Sequence, residues 1–360
     1  MQGKLELQKA QVQEILSHRP NYTEVRVNLS GTLAKAVNYD ALTGEIAVGD
    51  WVYLNTTAVS KKLGTGGWHF VLANLNQPEL AMEEAGHIMK LRYTPMQVKV
   101  LSVEEEEHPL NSAYRQTSTL AGTPVIIGTL HSMLPPLLAA LNYQQPRKAK
   151  IIVLMTDGAA LPAYFSRNLV QLREKGLMQG VVTCGHAFGG DWEAVNNYSG
   201  LLAAKAAGAE IILACMGPGI VGTGSAFGFT GIEQGELVNA VQILGGSPLA
   251  IPRLSFADPR PRHWGLSHHT QTALGRVALK TCEIVFPQLP AEQRQVVEQQ
   301  IRDSHLADRH QIIWQEAGQT EAALQNFDLQ VSSMGRKFAE DPAFFQAAAA
   351  SGFYLSGSKE

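Results

Sequence analysis

From residue 122 onward the chain alternates two hydrophobic rhythms. Runs at 124–128, 150–155, 180–184, 210–216 and 248–256 are almost wholly apolar. Each is followed by a segment of helical period, at 133–141, 162–175, 193–207, 232–244 and 268–286. A strand that is apolar at every position is buried on both faces. The alternation therefore predicts an α/β fold: a doubly wound, mostly parallel sheet with helices on both faces. A helix over 291–305, a strand over 310–314 and a helix over 320–327 extend it.

Before residue 78 the rhythm is different. Short alternating runs at 25–29 and 50–56 and a strand-like run at 68–72 are separated by turn residues at 19–21, 43–44, 49–50 and 64–67. Short strands at even spacing predict a small all-β, barrel-like domain. The expected organisation is a β domain over 1–77, a linking segment over 78–121 with a strand at 97–103, the α/β domain over 122–330 and a C-terminal helical tail over 331–360.

Composition narrows the function. Hydrophobic residues make up 45% and charged residues 17% of the chain, enough to build a core and too little charge for a disordered protein. A formal net charge of -3 gives no general attraction for nucleic acid or anionic membrane, so neither is expected as a partner. Cys184, Cys215 and Cys282 lack metal-binding spacing and read as buried reduced thiols. With no apolar signal core in 1–19, that fits a cytoplasmic location.

In a doubly wound sheet, ligands bind outside the carboxyl ends of the strands. The segments expected there are rich in chemistry. They hold His131, then Thr156-Asp157-Gly158, then Gly185-His186 through Asp191, then Gly217-Pro218-Gly219 through Gly224-Ser225. Last comes 255–269, which carries Asp258, Arg260, Arg262, His263, Ser267, His268 and His269. The loops of the opposite edge, such as 144–148 and 175–177, are plainer. The expectation is one cleft in which His263, His268, His186, Asp157 and Asp191 do the chemistry. Gly217, Gly219, Gly222 and Gly224, with Arg260 and Arg262, would hold an anion. A surface salt bridge of these arginines to Asp258 or a neighbour is the alternative.

A divalent metal is a second reading, with His186, Asp191 and His263 as candidate ligands, though no H-x-H or H-E-x-x-H spacing is present. NAD is disfavoured. Gly217, Gly219 and Gly222 match the dinucleotide spacing, but no helix opens there and no acidic residue ends the next strand.

Several strings carry a resemblance. They are Asn55-Thr56-Thr57, Leu63 to Gly67, Met155 to Gly158, Gly185 to Gly190, Met216 to Gly219 and Arg262 to His269. Together they resemble a bacterial family recorded as domain of unknown function 3866, over nearly the whole chain. That resemblance implies no activity and transfers no catalytic residue. From the residues, an enzyme acting on a small anionic metabolite, a hydrolase or isomerase, is the leading expectation. A non-catalytic metabolite-binding module and a homo-oligomeric scaffold stay open.

Overall fold

The structure, a computed structural model, describes residues 4–77, 79–81, 85–145 and 148–357. Positions 146 and 147 of the plain loop, and position 78 where the linking segment was expected to begin, lie outside them. The chain divides into two compact units, Met1–Ala85 with Leu91–Val98, and Gly86–Lys90 with Lys99–Glu360.

The first unit is a closed five-stranded barrel: β1 (Leu7–Arg19), β2 (Tyr22–Leu29), β3 (Thr32–Asn38), β4 (Trp51–Asn55) and β5 (Trp68–Asn74), in the order β1-β2-β3-β5-β4. β1 is long enough to pair with both β2 and β4, and β3 runs parallel to β5. This is a Greek-key barrel of OB type. Ala10, Val12, Val25, Val27, Ala36, Val52, Leu54 and Val71 fill its interior.

The second unit is built on an eight-stranded sheet in which every pairing is parallel. Its strands are β6 (Pro124–Ile127), β7 (Ile151–Thr156), β8 (Gly180–Cys184), β9 (Trp192–Ala194), β10 (Ile211–Met216), β11 (Ser247–Ala250), β12 (Glu283–Pro287) and β13 (Gln311–Gln315). The order is β9-β8-β7-β10-β6-β11-β12-β13. Alternate residues point to opposite faces. Ile152, Leu154, Ile212 and Ala214 join one core, with α3 (Asn197–Ala206), α4 (Glu233–Ile243) and α6 (Ala291–Asp303). Ile151, Val153, Ile211 and Leu213 join the other, with α1 (Leu134–Asn142), α2 (Arg167–Glu174), α7 (Thr320–Asn326) and α8 (Pro342–Gly357). The doubly wound expectation is met.

Three assignments need correction. The helix expected at 193–207 begins at Asn197, because the Asn196 side chain accepts the backbone N–H groups of Tyr198 and Ser199 and stops it there. Trp192–Ala194 is instead the edge strand β9. The helix expected over 268–286 is only α5 (His268–Thr272), continued by a π-helical turn (Ala273–Val277). The apolar run after it is the buried strand β12. The strand expected over 97–103 shortens to Val98–Val100.

Strand order creates two places where the connections of adjacent strands diverge. β7 leads toward β8 while β10 leads back across the sheet toward β11, and the neighbours β6 and β11 diverge in the same way. Crevices for ligands form at such points.

Candidate functional site

The segment after β11 leaves the sheet and folds on itself. Leu254–Ser255 pairs antiparallel with Gly265–Leu266, closing a loop over 256–264. Ser267 then caps α5, its Oγ accepting the His269 backbone N–H at 3.2 Å. The cap fixes the start of the helix, and so brings the two adjacent histidines against His263. Ring centroids lie 5.0 Å apart for His263 and His268, 4.9 Å for His263 and His269, and 4.4 Å for His268 and His269. Phe229, from the glycine-rich loop after β10, stacks on His269 at 4.0 Å and 6° between planes. The π turn at 273–277 directly follows; such turns are frequent at functional sites.

Each imidazole is held differently. His263 Nδ1 lies 2.7 Å from Ser267 Oγ. His269 Nδ1 lies 2.9 Å from Nη1 of Arg253, a buried residue. The Nε2 of His268 is buried with no hydrogen-bond partner among the described residues. Burial and then the Arg253 guanidinium push His263 down to about 3 and His269 down as well. Burial, then Arg262 and Arg253, lower His268. All three rings are therefore neutral at pH 7.

Behind them lies a set of arginines. Asp258 is buried and takes Nε and Nη2 of Arg260 at 2.9 and 2.7 Å, with Arg336 at 3.6 Å and Arg253 at 4.0 Å. The Arg260 hydrogen bonds hold the Asp258 carboxyl far below the usual carboxylate range. Burial lowers Arg253 to about 10, which leaves it charged at pH 7. Arg336 also pairs with Asp341 at 3.1 Å. Arg262, which is exposed, has no carboxylate partner among the described residues. Its Nη1 would lie 3.9 Å from a Cβ placed on Gly224.

A second group gathers between β7 and β10. Asp157 accepts the backbone N–H of His186 at 2.9 Å. Glu233, at the start of α4, is buried, and its Oε1 accepts Thr156 Oγ1 at 2.7 Å. Burial pushes Glu233 up to about 7, with Asp157 adding repulsion. A Cβ at Gly158 would meet Glu233 Oε2 at 2.9 Å, and one at Gly217 would meet the Ala160 carbonyl at 2.3 Å. These glycines let the loops close over the carboxyl. Phe229 and Glu233 are joined by the short 3-10 turn Thr230–Ile232, which rises only about 2 Å per residue, so the two groups are neighbours along the same edge.

The residues expected to line one cleft fall into separate groups. His263, His268 and Arg262 come together with Gly222 and Gly224; Asp157, His186 and Gly217 form the second group, and Gly219 is exposed on the loop between. Asp191 is not there. Its Oδ2 accepts the Val181 backbone N–H at 2.7 Å and pairs with Arg173, at the opposite, amino end of β8. The reason is the edge strand β9: 185–191 doubles back so that the chain can run parallel to β8 again. Asp191 consequently shares no site with His263. Arg260 faces Asp258 rather than a ligand space. The backbone cradle is also reduced, because the Val221, Thr223 and Ser225 amides bond within their own loop. His131 is a packed residue, held between the Met216 carbonyl at 3.1 Å and Ser166 Oγ at 2.5 Å.

Arg253 and Glu233 are the residues that sequence reasoning left out of the site. Arg253 and Glu233 lie in segments read as strand and helix, where a charged side chain gives no local sign of burial. A concavity of about 900 Å³ lies beside Leu141, Ile211, Gln315 and Phe353. Glu316 is the one carboxylate among its described lining residues, so the convergent chemistry lies elsewhere.

His263, His268 and His269 could each offer a nitrogen to one ion, since these atoms lie within 4.8 Å of one another. The hydrogen bonding does not fit that use. A guanidinium can only donate, so the bond from Arg253 requires a lone pair on His269 Nδ1. In the neutral ring the proton then sits on Nε2. That nitrogen is a donor, not a metal ligand, and the surrounding guanidinium groups repel a cation.

The model of a family described as "Protein of unknown function (DUF3866)" matches residues 35–352, which include every residue of both groups. No curated protein matches the chain. The chain belongs to the DUF3866 family.

Proposed function

We propose that this DUF3866 protein is an enzyme acting on a small anionic metabolite. Its anionic group would sit against His268, His269 and Arg262, and Glu233 would move the proton. The observation that carries the reading is the Arg253 bond to His269 Nδ1. It turns an imidazole Nε2–H into a donor, beside the unpartnered nitrogen of His268 and the unpaired guanidinium of Arg262. Neutral donors backed by positive charge are suited to phosphate or carboxylate.

The same observations change which group does acid–base work. His263, at about 3, is too weak a base near neutral pH. Glu233, at about 7, is matched to proton transfer there. Hydrolysis and isomerisation both need one such proton moved, and either fits a site on the sheet's carboxyl edge.

The test uses sulfate, whose charge is constant between pH 6 and 8. Millimolar sulfate should raise the melting temperature relative to chloride at equal ionic strength, by ligand linkage. The rise should be larger at pH 6, where the Glu233 carboxyl is largely protonated and no longer repels the anion. The Arg262→Met variant should lose the effect. Stabilisation by zinc but not by sulfate would replace this reading with the metal one.

A further inference from the structure

The barrel carries a second surface, independent of the site above. β4 and β5 read Trp-Val-Tyr-Leu-Asn and Trp-His-Phe-Val-Leu-Ala-Asn, without one Lys, Arg, Asp or Glu. Val52, Leu54 and Val71 point into the barrel, so Trp51 and Tyr53 point out, and each is 42% exposed. Two residues apart on one strand, they stand about 7 Å apart on the same side.

Lysines border these rings. Lys9 pairs across from Tyr53 in register, and its Nζ lies 4.4 Å from the Trp51 ring centroid. On the far side of β5, Lys35 pairs across from Trp68, its Nζ 5.5 Å from that ring. The loop joining the two strands adds exposed Lys61 and Lys62. Two carboxylates lie by these strands and are outnumbered by the four lysines: Glu6 accepts Gln8, Thr56 and Ser60 and feels the charge of Lys61, and Asp50 accepts Asn74 and the Ala47 amide.

The geometry points to this wall as a binding surface for single-stranded nucleic acid, its bases stacked on Trp51 and Tyr53 and its phosphates beside the lysines. Exposed aromatic faces interleaved with lysine match a ligand that is both flat and anionic. A duplex hides its base faces. A peptide strand would need a free sheet edge, and a closed barrel has none. The net charge of -3 argues against general polyanion binding by the whole chain, but this wall is locally cationic.

The full-length protein would be titrated into fluorescein-labelled dT and rU oligonucleotides of about twelve nucleotides, within the span such a barrel covers. Anisotropy should rise, more than with a duplex, and fall as salt is added. Trp51→Ala/Tyr53→Ala should weaken binding at least about tenfold. Lys61→Glu/Lys62→Glu, in an exposed loop that leaves the barrel core intact, should also weaken it; thermal melts check folding of both. No binding at low salt, or equal binding by all variants, overturns the proposal. So does a wild-type oligomer that Trp51→Ala/Tyr53→Ala converts to monomer without any oligonucleotide binding, which would assign the wall to a second copy of the chain.

Discussion

Glu233 is one buried carboxyl whose environment sets both its role and a measurable effect on stability. Its ordinary value is 4.5, and burial raises it to about 7 in the folded protein. Below pH 4.5 the group is protonated in both states and costs nothing. As pH rises toward 7 the unfolded chain ionises freely while the folded one resists, so stability falls through that window and levels above it. Glu233→Gln keeps the shape and removes the ionisation. The variant should gain on wild type by on the order of 3 kcal/mol between pH 4.5 and 8, from the size of the shift. Melting temperatures of both proteins across that range check it; a constant difference would place the carboxyl in a solvated environment. His263 has the opposite sign. Its folded value is depressed to about 3 from 6.5, so the stability it contributes is present above pH 6.5 and is lost as pH falls toward 3.

At the scale of elements, the 255–269 loop divides its arginines between two tasks. Arg260 belongs to the scaffold, because it grips a buried carboxylate with two hydrogen bonds. Arg262 faces the glycine loop and holds no carboxylate among the described residues. Arg260→Met should therefore lower stability and leave sulfate binding nearly unchanged, while Arg262→Met should do the reverse. Asp258→Asn should cost most, roughly 3–5 kcal/mol, because it leaves buried Arg253 without its carboxylate. Urea melts and sulfate titrations of the three variants separate these outcomes. Equal losses of affinity in both arginine variants would contradict the division.

The elements also show why some of the fold was legible and some not. β7 and β10 were readable because every residue in them is buried, and that leaves an unbroken apolar run. β1 was not. Two register shifts, between Val12 and Glu14 and between Ile15 and Ser17, break its alternation, and the exposed residues Gln13 and Glu14 fall side by side, as do Ser17 and His18. The region 268–286 read as one helix because both the π turn and β12 are apolar; only tertiary pairing separates them. Asp191 was misplaced for the same reason as β9, since a three-residue edge strand has no sequence pattern of its own. The 255–269 loop stood out because its chemistry is local. Arg253 and Glu233 did not, because what distinguishes them is the company they keep after folding.

For the whole molecule, the account rests on how one sheet edge is charged. Among the described residues, no helix is long and apolar enough to cross a membrane, and the chemistry collects in the loops of the carboxyl edge. Its central claim is that the histidine cluster is built to donate to an anion. Nitrogen-15 NMR of the imidazoles tests this most directly, with the His269 signals assigned from a His269→Gln variant. The account predicts a His269 ring that is unprotonated at Nδ1 and protonated at Nε2 at pH 7, with the Nε2 signal moving on addition of sulfate. A ring protonated at Nδ1, with Nε2 shifted by zinc and unmoved by sulfate, would contradict it.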